Sequence, residues 1–166
     1  MSLNYSGIKY PDVANGPGCR VSLFVSGCRL NCPECFNKSE QSFDFGEPYT
    51  DDIQKSILEK LNYPWVSGLS LLGGDPLEPE NQEEVCKLIL QAKCQNPDKE
   101  IWLWTGRVYP NLPKTEYLQD IINNVDFLID GPFVNDLKDL SLIWRGSGNQ
   151  RILSKNDRIK IDRGDK

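Results

Sequence analysis

The chain reads as an α/β domain on a mostly parallel sheet, in the form of a shortened partial (β/α) barrel. Three observations predict this. Short β-rich apolar runs alternate with segments of helical periodicity. The run Glu100–Trp104 is apolar at every position from Ile101 onward, so both of its faces must be covered, as in an interior parallel strand. The 166 residues fall short of the roughly 200–250 that eight βα units require, which leaves room for part of a barrel only. The same length suits one domain over residues 1–166 and is tight for two.

In order, Val21–Val25 is the first strand, and Asp51–Leu61 the first helix, with apolar Ile53, Ile57, Leu58 and Leu61. Thr50 suits its N-cap, and Asp51 and Asp52 suit the positive end of the helix dipole. Gly68–Leu72 is the next strand. After Pro79 a helix places Val85, Leu88, Ile89 and Ala92 on one face. Beyond Glu100–Trp104, Thr115 is placed to cap a helix carrying Tyr117, Leu118, Ile121 and Ile122. Val125–Ile129 is a fourth strand and Leu142–Trp144 a short fifth. Residues 151–166 form a basic tail, read as solvated, with docking onto an acidic partner or ligand as the alternative. Met1-Ser2-Leu3 resembles a two-residue interruption of a native Met-Asn-Tyr start, and 1–3 is set aside as an expression remnant.

The bulk properties exclude several classes of function. A net charge of −5 with a pI near 4.8 argues against a protein that tracks nucleic-acid phosphates. No export signal and no apolar run of about 18 residues is present, so the expectation is a cytoplasmic protein without a membrane span. The chain has no histidine. That removes Ser-His and Cys-His nucleophiles and histidine-ligated zinc, haem and iron, and leaves sulfur or carboxylate to hold any metal. The six cysteines are expected to be mostly reduced thiols. Cys86 and Cys94, eight residues apart on one helix, stand about 12 Å apart and cannot bridge.

Each strand runs into a glycine-containing polar segment: Ser26-Gly27-Cys28, Gly73-Gly74-Asp75, Thr105-Gly106 and Asp130-Gly131. Carboxyl ends of parallel strands carry the sites of barrels and open α/β sheets, and glycine lets backbone approach a ligand. Four such ends, one beside a cysteine cluster, predict a shared ligand face. That cluster, Cys28-Arg29-Leu30-Asn31-Cys32-Pro33-Glu34-Cys35, has C-x3-C-x2-C spacing, and Pro33 opposes a regular helix through it. Three thiolates are one short of a closed zinc site or an ordinary [4Fe–4S] site. Three readings compete: the three hold a cubane with one open iron, a zinc ion borrows Cys19 as a fourth ligand, or the cysteines fall together by accident.

With these motifs the chain resembles the radical S-adenosylmethionine superfamily and, within it, the activating-protein family of anaerobic (class III) ribonucleoside-triphosphate reductases. The resemblance runs from Asn15-Gly16-Pro17-Gly18 through Leu23–Cys28, Cys32–Ser39, Gly73-Gly74-Asp75-Pro76-Leu77, Asp98–Gly106 and Asp130-Gly131 to Leu142–Ser147 and Asn149-Gln150. It implies that Cys28, Cys32 and Cys35 ligate a [4Fe–4S] cluster. The open iron would take the amino and carboxylate groups of S-adenosylmethionine, with Gly73, Gly74 and Asp75 approaching that amino group. The resemblance also implies that the Cys35 segment borders the adenine, through the Glu34 backbone, the Phe36 ring or both; superfamily members usually carry an aromatic residue where this chain has Glu34, and here the aromatic is Phe36. For Asp75 a turn or helix-capping role is the alternative.

The implied chemistry is reductive cleavage to methionine and a 5′-deoxyadenosyl radical, which removes a hydrogen atom from a glycine of the reductase. It also implies oxygen sensitivity, an electron donor such as flavodoxin, and no need for a protein general base. An activase of another glycyl-radical enzyme, a radical enzyme acting on a small molecule, and, more distantly, a non-enzymatic zinc-binding module are the competing readings.

Overall fold

The computed structural model describes residues 2–165; Met1 and Lys166, the outer ends of the expected remnant and tail, lie outside the described residues. Seven strands, β1 (Asn4–Asp12), β2 (Cys19–Val25), β3 (Glu47–Pro48), β4 (Val66–Gly73), β5 (Glu100–Trp104), β6 (Phe127–Asp130) and β7 (Arg151–Ser154), form one mixed sheet in the order β3-β1-β2-β4-β5-β6-β7. The central strands β2, β4, β5 and β6 are parallel, and the pairs toward both edges, β1 with β2 and β3 and β6 with β7, are antiparallel. The expected parallel sheet is therefore confined to the middle, and β3 and β7 stand as separate edges.

Helices α1 (Asp51–Leu61), α2 (Pro79–Gln95) and α3 (Leu118–Asn124) connect the parallel strands, and α4 (Lys155–Arg163) follows β7. Thr50 caps α1 by accepting from the Ile53 amide, as expected, and Pro79 occupies the first turn of α2. Alternation along the strands divides the sheet. Leu23, Leu71 and Leu103 join Ile57, Leu61, Val85, Leu88 and Ile121 in one apolar core. Their neighbours Phe24, Leu72 and Trp104 face the opposite side, where they border a cavity. Arg20, fully buried, spans that second side: it donates to Ser70 Oγ (2.7 Å), Leu69 O (2.9 Å) and Glu100 O (2.9 Å). No helix is long and apolar enough to cross a membrane among the described residues.

Three expectations are corrected. Leu142–Trp144 is a bend, not a strand, because the Trp144 backbone takes φ 60° and its carbonyl is claimed by Trp104 Nε1 (2.7 Å). Thr115 does not cap α3; that helix begins after Tyr117, and the Thr115 hydroxyl donates to the Gln82 side chain. The basic stretch from Arg151 supplies β7 and α4: Arg151 pairs with Asp130, and buried Arg158 donates to the carbonyls of Leu153, Ile122 and Val125, satisfying the end of α3. Leu3 is 2% exposed within the core, and its carbonyl accepts from the Tyr49 amide (2.8 Å). Leu3→Ala should accordingly cost about 2–5 kcal/mol of stability in urea denaturation, whereas Ser2→Ala at the exposed neighbour should change it by less than about 0.5 kcal/mol.

Candidate functional site

The four glycine-bearing strand ends meet. Cys28, beyond β2, Gly73-Gly74 at the end of β4, Thr105-Gly106 beyond β5 and Gly131 beyond β6 all line one cavity of about 430 Å³, whose wall is completed by the segment Leu140–Gly146. Cys32, Cys35 and Phe36 line it as well. Backbone hydrogen bonds hold this end together after the strands stop: Gly74 N to Val25 O (2.7 Å), Asp75 N to Gly27 O (2.9 Å), Gly27 N to Glu40 O (2.7 Å) and Cys28 N to Gln41 O (3.0 Å). Asn37 Nδ2 donates to Gly73 O (3.0 Å), which returns the end of the cysteine loop to the same turn. Glycine is required here on two counts. Gly73 has φ +107°, and a Cβ on Gly74 would stand 2.6 Å from Gly27 O and 2.7 Å from Glu40 O.

The cysteine loop is irregular, as Pro33 implied, with Asn31 and Glu34 at positive φ (48° and 57°) and one turn bond from Cys35 N to Cys32 O (3.3 Å). All three thiols are free and partly buried. Burial, reinforced by the carboxylates of Asp75 and Glu78, pushes the Cys28 thiol up to about 11. Such a thiol ionises readily only beside added positive charge, which iron supplies. Among the described residues no three His, Cys, Asp or Glu side chains converge as around a single metal ion. Three partly buried thiols on one loop beside a roomy cavity are a donor set that fits an iron–sulfur cluster. Cys19 pairs with Val66 at the opposite end of β2, about 20 Å of strand from Val25, and is out of reach as a fourth ligand.

Two of the residues expected at the ligand stand off the cavity wall. Asp75 is fully buried and absent from the cavity wall: its Oδ1 accepts from Leu77 N (2.9 Å), and its Oδ2 from Thr105 Oγ1 (2.9 Å) and Gly106 N (3.2 Å). It is a turn-capping tie between the β4 and β5 loops. Glu34 does not line the cavity either; its neighbours Cys35 and Phe36 do. The Phe36 ring, 61% exposed, lies 4.8 Å from that of Phe133 and 5.0 Å from the Lys138 ammonium. Behind the wall, buried Glu78 accepts from Arg29 N (2.8 Å) and Arg29 Nη1 (2.7 Å) and pairs with Arg107 Nη2 (2.9 Å). Sequence reasoning did not single out Glu78, Arg107, Phe133 or Leu140 for this site; the glycine-ended strands marked where they gather but not which side chains surround them.

With this geometry in hand, the comparisons are decisive. The family model described as a 4Fe-4S single cluster domain matches residues 14–153. The anaerobic ribonucleoside-triphosphate reductase-activating protein of Escherichia coli (strain K12) is 43% identical over 90% of this chain and 97% of its own length. The protein of the same name from Salmonella typhi is 44% identical over 86% and 94%, and that from Enterobacteria phage T4 41% identical over 95% and 97%. The chain belongs to this activating-protein family. The matched 4Fe-4S domain takes in the whole cavity wall and stops before α4.

Two consequences can be measured. Burial is the main cause that raises Asp75 to about 6, against an ordinary 3.8. Between those values the folded state holds a proton that the unfolded chain has released, so this group's contribution to stability falls as pH rises from about 4 to about 6. The cluster-free protein should therefore lose stability over that window by up to about 1.4 kcal/mol per pH unit on account of Asp75, and the Asp75→Asn variant should lack this component in urea titrations at pH 4, 5 and 6. Gly74→Ala, which forces a methyl against two carbonyls, should cost about 1–3 kcal/mol in the same assay.

Proposed function

We propose that this chain activates an anaerobic ribonucleoside-triphosphate reductase by generating a glycyl radical on it. The observation that carries this reading is the convergence of three partly buried, non-bridged thiols and the Gly73-Gly74 turn on a single cavity, in a chain of the activating-protein family. The parallel strands β2-β4-β5-β6 with their helices are then the shortened partial barrel of a radical S-adenosylmethionine enzyme. When bound, a [4Fe–4S] cluster with S-adenosylmethionine on its open iron supplies one-electron cleavage to methionine and a 5′-deoxyadenosyl radical, which leaves as 5′-deoxyadenosine after taking a glycine hydrogen atom.

The chain's own residues bind, orient and shield. Cys28, Cys32 and Cys35 would hold the cluster. Gly73 and Gly74 present bare backbone for the amino group of the methionyl moiety, and Asp75 keeps that turn in place from behind. The Phe36 ring, on the cavity wall, borders the adenine. Apolar side chains of Phe24, Leu72, Trp104 and Phe133 keep water away from the reacting carbon. Leu140 and Ile143, 85% and 64% exposed at the rim, offer an apolar surface to the reductase segment that carries the glycine. No step needs a general base, in keeping with a chain that has no histidine. A flavodoxin-type protein is the proposed electron donor, with no part for nucleic acid or membrane, in the cytoplasm.

The test is anaerobic iron–sulfide reconstitution, reduction, and EPR spectroscopy with and without S-adenosylmethionine. The wild type should bind about four irons, give a reduced-cluster signal that S-adenosylmethionine alters, and form 5′-deoxyadenosine. Absence of the signal, or indifference to S-adenosylmethionine, overturns the proposal. Cys28→Ala, Cys32→Ala and Cys35→Ala should each abolish cleavage; Cys19→Ala, Cys86→Ala and Cys94→Ala should leave it within about twofold of wild type, since these thiols lie away from the cavity.

A further inference from the structure

We propose that Arg145 binds the carboxylate of the methionyl group of S-adenosylmethionine; the inference rests on the function proposed above. Arg145 is the single lysine or arginine among the residues that line the cavity. Its Nη1 donates to Gln150 O (2.8 Å), but its Nε is buried without a partner, and no carboxylate lies within 4.0 Å of its guanidinium among the described residues. Arg107 also has an unpartnered Nε, yet its charge is matched by Glu78 at 2.9 Å. The one acidic residue of the cavity wall among the described residues, Asp139, is committed elsewhere: its Oδ1 accepts from the Ser141 amide (2.8 Å) and hydroxyl (2.6 Å). A guanidinium in the cavity wall, with no carboxylate beside it and one donor unpartnered, calls for an acceptor that arrives with the ligand.

The position of Arg145 is built rather than incidental. Trp144 before it sits at φ 60°, a costly conformation for a tryptophan, and its carbonyl is pinned by Trp104 Nε1. Gly146 after it donates to Gln150 Oε1 (2.8 Å), and Gln150 Nε2 in turn donates to Gly131 O (3.1 Å), which anchors the arrangement to the end of β6. Both peptide groups flanking Arg145 are thus held. Charge selects the ligand group. S-adenosylmethionine offers a sulfonium and an ammonium, which repel a guanidinium, a neutral ribose and adenine, and one carboxylate. A guanidinium edge matches a carboxylate in a charge-assisted fork.

The experiment measures dissociation constants on the anaerobically reconstituted protein, by calorimetry, for S-adenosylmethionine and for its decarboxylated analogue, which differs only at this group. In Arg145→Gln, S-adenosylmethionine should bind about 10- to 100-fold more weakly, while the analogue changes by less than about twofold; Arg145→Lys should fall between. Equal weakening of both ligands, or of neither, overturns the proposal, as does failure of both variants to take up the cluster, which would make Arg145 a structural residue. If wild-type protein itself does not bind S-adenosylmethionine, the proposed function fails; if wild type binds and Arg145→Gln binds equally well, only this inference does.

Discussion

The parallel pairing of β2 with β4 does not end where the strands do, and the site depends on that continuation. Val25 pairs with Gly73 as the last rung of the ladder, and the chain then carries on pairing through Gly74 N to Val25 O and Asp75 N to Gly27 O. The cysteine loop and the glycine turn are in this way two ends of one hydrogen-bonded unit. Side chains would prevent it: β-carbons at Gly73 and Gly74 would meet the Val25 and Gly27 carbonyls at 2.5 and 2.6 Å. The glycines serve first to let two backbones meet, and the open surface they offer a ligand follows from the same absence of side chains.

A buried charge network makes that unit stiff. Glu78, the residue before α2, has its carboxylate turned away from the helix amides and toward Arg29 of the cysteine loop and Arg107 of the β5 loop. Arg29 is held in its charged form by hydrogen bonds to Glu80 first and Glu78 second. Asp75 adds Thr105 and Gly106 to the same cluster of contacts. The Arg29–Glu80 arm is largely exposed and contributes little to stability by itself. The inner arm is different: Glu78 is fully buried, and removing one of its partners would leave a carboxylate short of compensation. The loops after β2, β4 and β5 are therefore fixed to one another from outside the cavity, leaving its wall free for ligand.

The interior strands were legible because burial on both faces writes itself as apolar runs: Val21–Val25, Gly68–Leu72 and Glu100–Trp104 all lie inside observed strands. Residues Asn4–Asp12 hold Gly7 and Pro11 and are mostly only half-buried, so β1 has no such signature. β7 and α4 were hidden by their charges. Arg151 and Arg158 look like solvent-facing residues until Asp130 and the carbonyls closing α3 are placed beside them, and sequence order gives no notice of those partners. For the site, spacing revealed the three cysteines and the glycine ends. It left the Asp75 carboxylate undecided between ligand and turn, because only the position of Thr105 and Gly106, thirty residues on, determines which way it points.

Backbone strain in the chain is concentrated at this site. Of the non-glycine residues at positive φ, Asn31 and Glu34 lie in the cysteine loop and Trp144 in the opposite wall. Each such conformation costs on the order of 1–3 kcal/mol and persists only where surrounding contacts over-determine it. At Trp144 those contacts are visible: Trp104 Nε1 on its carbonyl, and its ring against Trp102 at 4.9 Å. Trp102 and Trp104 both belong to β5, so the strand that forms the centre of the cavity floor also sets the backbone of its far wall. The stability needed to hold that wall comes from the buried core on the other face of the same strand, where Ile101 and Leu103 pack. Core and cavity are thus opposite faces of one rigid element, so the packing that stabilises the strand also holds the strained, open site in place.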